Sequence, residues 1–188
     1  MGMFRVSSST ILVAAAFVLA ACGGSGVNPG VTSPAYHRSV VSSAISNGGM
    51  PVVVHGGATT TLDQAATQQI IVTQVQLPGW LPPDRLVLAD GQPQRRLVFI
   101  VNPQAIGRAA NRGCGPLEGI ATSPDGELIN VAGAFCDETD VLSFTKGSAP
   151  VGEAPATALA DLVQQITLTL LPPENPVQRR SMFYDGGP

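Results

Sequence analysis

The chain has only two histidines and three cysteines in 188 residues. Three cysteines are too few for a miniprotein held together by disulfides alone. His37 and His55 lie far in sequence from Cys114 and Cys136, and a zinc site would need more ligands than that pair. Basic residues are outnumbered 10 to 13, the formal charge is −3, and nothing supplies a basic stripe for phosphates. That excludes a binder of nucleic-acid backbones. No Gly-x-Ser-x-Gly elbow occurs, and no glycine-rich stretch matches the phosphate loop or the dinucleotide fingerprint. There is no internal repeat. What remains is a hydrophobic fraction of 44%, enough for a core and against wholesale disorder. The length suits one ordinary domain.

The single long apolar run sits at the N-terminus. Arg5 supplies a positive flank, and residues 11–21 are apolar without interruption. A spanning helix needs about 20 such residues, so this run has the length of a secretory h-region. It is followed by Leu19-Ala20-Ala21-Cys22-Gly23. This pentapeptide resembles the lipobox of bacterial lipoprotein precursors. The resemblance implies cleavage before Cys22, diacylation of its thiol and acylation of the new amino group. Two or three acyl chains hold a protein on a membrane stably, whereas one does so only marginally. Gly23 stands where an Asp would retain such a protein in the inner membrane, so the resemblance favours the outer membrane, facing the periplasm. The competing reading is ordinary signal cleavage after a small-residue motif, with release into the periplasm. Loss of residues 1–21 removes one basic and no acidic residue, moving the formal charge from −3 to −4.

With Cys22 taken by lipid, Cys114 and Cys136 are left, 22 residues apart. In an oxidising compartment the expectation is a disulfide between them. A redox-active pair would have Cys-x-x-Cys spacing, which is missing.

Punctuation and periodicity divide the rest. Residues 22–32 are rich in Gly, Ser, Asn and Pro and predict a flexible tether. Ser33-Pro34 predicts a helix start, with His37, Val41, Ala44 and Ile45 on one apolar face and Asn47-Gly48-Gly49 as the stop. Residues 51–55 predict a buried strand. Thr61-x-x-Gln64 has capping-box spacing and opens a segment with Leu62, Ala66, Ile70 and Thr73 at helical period, although residues 70–75 also have strand composition. Residues 77–84 predict a proline-rich loop. Runs 85–89 and 95–101 predict strands that could form a hairpin, and 104–116 looks irregular. Runs 128–135 and 141–145 predict a hairpin around the acidic turn 137–140, with a loop over 147–152. Leu159, Leu162, Val163, Ile166 and Leu170 mark the clearest helix, bounded by Pro155 and Pro172. The expected organisation is a signal peptide (1–21), a tether (22–32), an α+β domain (33–175) and a disordered tail (176–188). The expected fold is a two-layer α+β sandwich, with a small antiparallel or mixed sheet and about three helices.

Chemistry-bearing candidates are few. His55-Gly56-Gly57 after a strand resembles the oxyanion-hole loop of lipases and esterases, but the rest of that pattern is missing. His37 is expected to pack in the core. Asp137, Glu138 and Asp140 lack the loop of a calcium site. Arg95-Arg96 and Arg179-Arg180 are expected on solvated surface, and Trp80 is expected to pack its loop onto the core. No catalytic residue, metal ligand or cofactor site is therefore assigned. The chain beyond residue 23 resembles uncharacterised proteobacterial envelope lipoproteins in general character. The expected function is a membrane-anchored, non-enzymatic binding or structural accessory of the cell envelope, whose partners are the membrane and an envelope protein. The alternative is a lipid-tethered periplasmic hydrolase using His55 or His37.

Overall fold

The computed structural model describes residues 25–45, 49–83, 85–89 and 91–177. In chain order the elements are β1 Gly26–Val27, β2 Val31–Thr32, α1 Arg38–Ala44, β3 Met50–His55, α2 Gln64–Gln74, β4 Leu86–Leu88, β5 Arg95–Val101, α3 Ile106–Arg112, β6 Leu128–Asp137, β7 Asp140–Pro150 and α4 Pro155–Leu170. One mixed sheet has the order β1-β7-β6-β5-β3-β4, with β2 also on β7. The α+β class is as expected, on a sheet larger than expected. The signal-peptide residues, Cys22, Asn47-Gly48 and 178–188 lie outside the described residues.

The sheet has two unequal faces. Leu97, Phe99 and Val101 of β5 point to one side, with Ile129, Val131 and Phe135 of β6, and bury against α1, α2 and α4. Val98 and Ile100, with Ala132, Ala134 and Cys136, point to the other side and form a smaller cluster with α3 and the segment after it. The alternation follows from the two-residue period of a strand. β6 carries alanines where α3 approaches. On the opposite face it carries Gly133, where an added Cβ would lie 2.6 Å from Ile166 Cγ2 and 2.9 Å from Leu170 Cδ1. The close approach of α4 to the sheet therefore requires glycine there.

α4 spans the predicted residues and buries all five of the periodic positions, including Leu162 and Ile166. α2 is a helix despite the β-branched residues near its end. Its cap is Asp63, whose Oδ1 accepts from Ala66 N at 2.9 Å. Thr61 does not cap it, and Gln64 turns away to the β3 end. α1 begins at Arg38, not at Pro34; Ser33 Oγ instead accepts from Ala35 N in a turn. His37 consequently falls at the exposed N-cap, and Tyr36 takes the buried place expected for it.

Four further expectations are corrected. β4 and β5 are not a hairpin: both pair in parallel with β3, on its two sides. Residues 106–112 form α3. β7 runs on to Pro150, so 147–150 is strand and not loop. Within the expected tether, β1 and β2 pair antiparallel with β7. Residues 26–32 therefore belong to the folded body. Asn28 is held on both sides, with its N–H donating to Lys146 O at 2.9 Å and its carbonyl accepting from Thr145 Oγ1 at 2.7 Å.

Candidate functional site

Parallel strands place ligand sites at their carboxyl ends, and here those are the ends of β3 and β5. That crevice is filled. Gly56, at φ +89°, has Val101 O standing where a Cβ would be. Asn102, at φ 50°, plugs the gap. Its Nδ2 donates to Gly57 O and Ala58 O at 3.2 and 2.8 Å, and its Oδ1 accepts from Asn130 N at 2.7 Å. His55 Nε2 lies 2.8 Å from Ile120 O and makes a bond to that carbonyl. Its ring is engaged in holding the segment after α3. Thus His55-Gly56-Gly57 serves close backbone packing. His37 is exposed and accepts or donates no side-chain hydrogen bond among the described residues. The structure does not bring the two histidines together.

Cys114 and Cys136 are bonded, with S–S 2.00 Å and Cα–Cα 5.5 Å, and both are buried. The bond fastens the end of α3 to the middle of the sheet. Arg96, expected on the surface, lies against it with 3% exposure. Its guanidinium donates to Pro93 O at 2.8 Å, Cys114 O at 2.7 Å and Gln92 Oε1 at 3.3 Å. Burial pushes its pKa down from the usual arginine range. The neighbouring Arg95 faces the other way and pairs with Asp137 at 3.3 Å, so the acidic turn is engaged by Arg95 and Gln94. No group of three or more potential metal ligands occurs among the described residues. No helix among them is long and apolar enough to cross a membrane. Trp80 packs as expected: its Nε1 donates to Leu171 O at 3.0 Å, and Arg38 lies 4.9 Å from its ring centroid.

Open concavities remain elsewhere among the described residues, among them the following two. A groove of about 480 Å³ lies between the end of α2 and the proline-rich loop, lined by Val72, Leu77, Pro82, Pro83 and Arg85 among others. A second, of about 380 Å³, lies where the chain enters the sheet, between β1, β7 and the start of α3. Asn28, Asn130, Lys146 and Ser148 give it a polar lining, and no carboxylate takes part. Lys146 is half-buried and makes no ion pair among the described residues. Sequence reasoning missed it because β7 was expected to stop at residue 145. The signal available was alternation continuing through Thr145, Lys146, Gly147, Ser148 and Ala149.

No known family matches the chain, and no curated protein matches it. Among solved structures it is similar to the PelC dodecamer from Paraburkholderia phytofirmans in space group P6, at 16% identity and TM-score 0.45, over 81% of this chain and 100% of that one. A single-substitution variant of that dodecamer, in space group C2, is similar at 15% identity and TM-score 0.44, over 79% and 97%.

Proposed function

We propose that this chain is a lipid-anchored protein of the cell envelope, held on the outer membrane and facing the periplasm, where it acts as a non-enzymatic binding or structural accessory to an envelope protein. The observation that carries the anchor is Leu19-Ala20-Ala21-Cys22-Gly23 directly behind an 11-residue apolar run. The buried disulfide is consistent with an oxidising compartment. The non-enzymatic part is supported by the engagement of the chemistry-bearing groups. His55 is bonded to a carbonyl, and the crevice beside it is closed by Asn102. The hydrolase reading needs a histidine beside a hydroxyl or carboxylate in a pocket, and neither histidine has such a partner among the described residues.

Labelling of cells with an alkyne-bearing fatty acid tests the anchor. The wild-type protein is expected to take up label and to fractionate with outer membranes. Cys22→Ala is expected to lose both label and membrane association. A Cys22→Ala protein that stays in the membrane pellet would overturn the reading.

A further inference from the structure

From the way the chain enters the sheet, we infer that the concavity between β1, β7 and the start of α3 seats the phosphate of an anionic phospholipid from the membrane that carries the anchor; this rests on the lipid-anchored reading above. The first reason is covalent. Ser25 is already tied to the body, its Oγ accepting from Gln165 Nε2 of α4 at 2.7 Å. Gly26 and Val27 are in register with Ser148 and Gly147. Cys22 is three residues before Ser25, and three Cα steps span at most about 11 Å. An acylated Cys22 sits at headgroup depth, so the strand that follows it is held within reach of the headgroups. Gly26, Val27 and Asn28 of that segment themselves line the concavity.

The second reason is charge. Lys146 is half-buried in this concavity, makes no ion pair among the described residues, and has only neutral polar neighbours, Asn28, Asn130 and Ser148, in the lining. An ammonium partly removed from water without a counter-ion favours an incoming anion. The chain after residue 21 is net negative and gains nothing from an anionic surface as a whole, so a local cation at the attachment point decides which side faces the lipid. Anchoring supplies the affinity a single lysine lacks, because the headgroups are then at high effective concentration. A bound headgroup turns the β1 edge toward the bilayer. The opposite edge, β4, is five strands away, about 24 Å at the usual strand spacing.

The test uses acylated protein on vesicles of phosphatidylcholine, with and without phosphatidylglycerol, containing a headgroup-labelled energy acceptor. With Cys22 acylated and Cys114 bonded to Cys136, a donor dye can be placed on Val31→Cys near β1 or on Leu88→Cys in β4; both positions are exposed. Transfer from position 31 is expected to exceed that from 88 and to rise when phosphatidylglycerol is added. Lys146→Glu is expected to abolish that rise, and Lys146→Arg to retain it. Equal transfer at 31 with and without phosphatidylglycerol, or a rise that survives Lys146→Glu, overturns the inference. Protein that sediments with neither vesicle overturns the anchored reading, and the inference with it. Inorganic phosphate is the second probe. Amide shifts of Asn130 and Ser148 with phosphate, in unacylated Cys22→Ala protein, without a phosphatidylglycerol effect on vesicles, reassign the seat to free phosphate and overturn the lipid assignment.

Discussion

Tyr36 is fully buried, with its hydroxyl donating to Pro172 O at 2.8 Å and its ring edge-on to Phe135, centroids 6.3 Å apart. Burial disfavours the phenolate and pushes its pKa above the ordinary tyrosine range. The folded state therefore holds this proton more tightly than the unfolded chain does. That contribution to stability is intact below the unfolded value, about 10, and is lost as pH rises beyond it. The urea midpoint of the wild type is expected to fall above about pH 10, and Tyr36→Phe should flatten that alkaline limb. At neutral pH the same variant should cost about 1 kcal/mol for the lost hydrogen bond. Asn102 has larger consequences, because it serves three backbone groups at once. Asn102→Ala leaves two carbonyls and one N–H unpaired at a left-handed residue, and should cost roughly 2–3 kcal/mol in urea denaturation. Neither role was legible in the sequence. Tyr36 lies one residue from the position expected to be buried, because Ser33-Pro34 signals a helix start four residues before the observed one. Asn102 read as a strand terminator before Pro103, and nothing local reports that its side chain crosses to the β3 end.

The elements that were legible are those whose signal is local and periodic. α4 carries five apolar positions at helical spacing between two prolines, and β5 is a β-branched run that matches its observed ends. The elements that were missed lack such a signal. α3 has Gly107 inside it and an Ala105 N-cap with no side-chain bond, so its residues look irregular until β6 offers them an alanine-lined surface. The parallel pairing of β4 and β5 around β3 is set by partners more than 30 residues away, which turn chemistry cannot encode. α4 provides the test at this scale. Leu162→Ala, at a fully buried position, is expected to cost about 2–5 kcal/mol, and Asp161→Ala, at an exposed one, to stay within about 0.5 kcal/mol. Gly133→Ala should cost about 1–3 kcal/mol by forcing a methyl against Ile166 and Leu170. Adding Ile166→Ala should relieve part of that cost, so a double-mutant cycle on thermal melts should show favourable coupling.

For the molecule as a whole, the segment 26–32 decides whether the sheet is open along β7. β7 is an 11-residue strand paired with β6 on one side. Its other side would be a row of unpaired N–H and C=O groups, the template for strand addition by another chain. β1 and β2 cover it: Val31 and Thr32 pair with Phe144 and Ser143, Gly26 and Val27 with Ser148 and Gly147, and Ser33 N donates to Leu142 O at 2.8 Å. The glycines, proline and asparagine that made this stretch read as linker are compatible with that role, because the pairing uses backbone groups and only Thr32 is buried. The two readings predict opposite results for a truncation. A protein beginning at residue 33 would lose nothing if 26–32 were tether. With the edge exposed, it should lose several strand hydrogen bonds, at about 1 kcal/mol net each. It should also associate through β7. Light scattering across a concentration series should therefore show a larger mass for the chain starting at residue 33 than for one starting at residue 25. A lysine placed on the bared edge at the half-buried Ser148 tests the cause, because charge blocks edge-to-edge pairing. Equal masses and equal melting temperatures for the two truncations would return residues 26–32 to the tether.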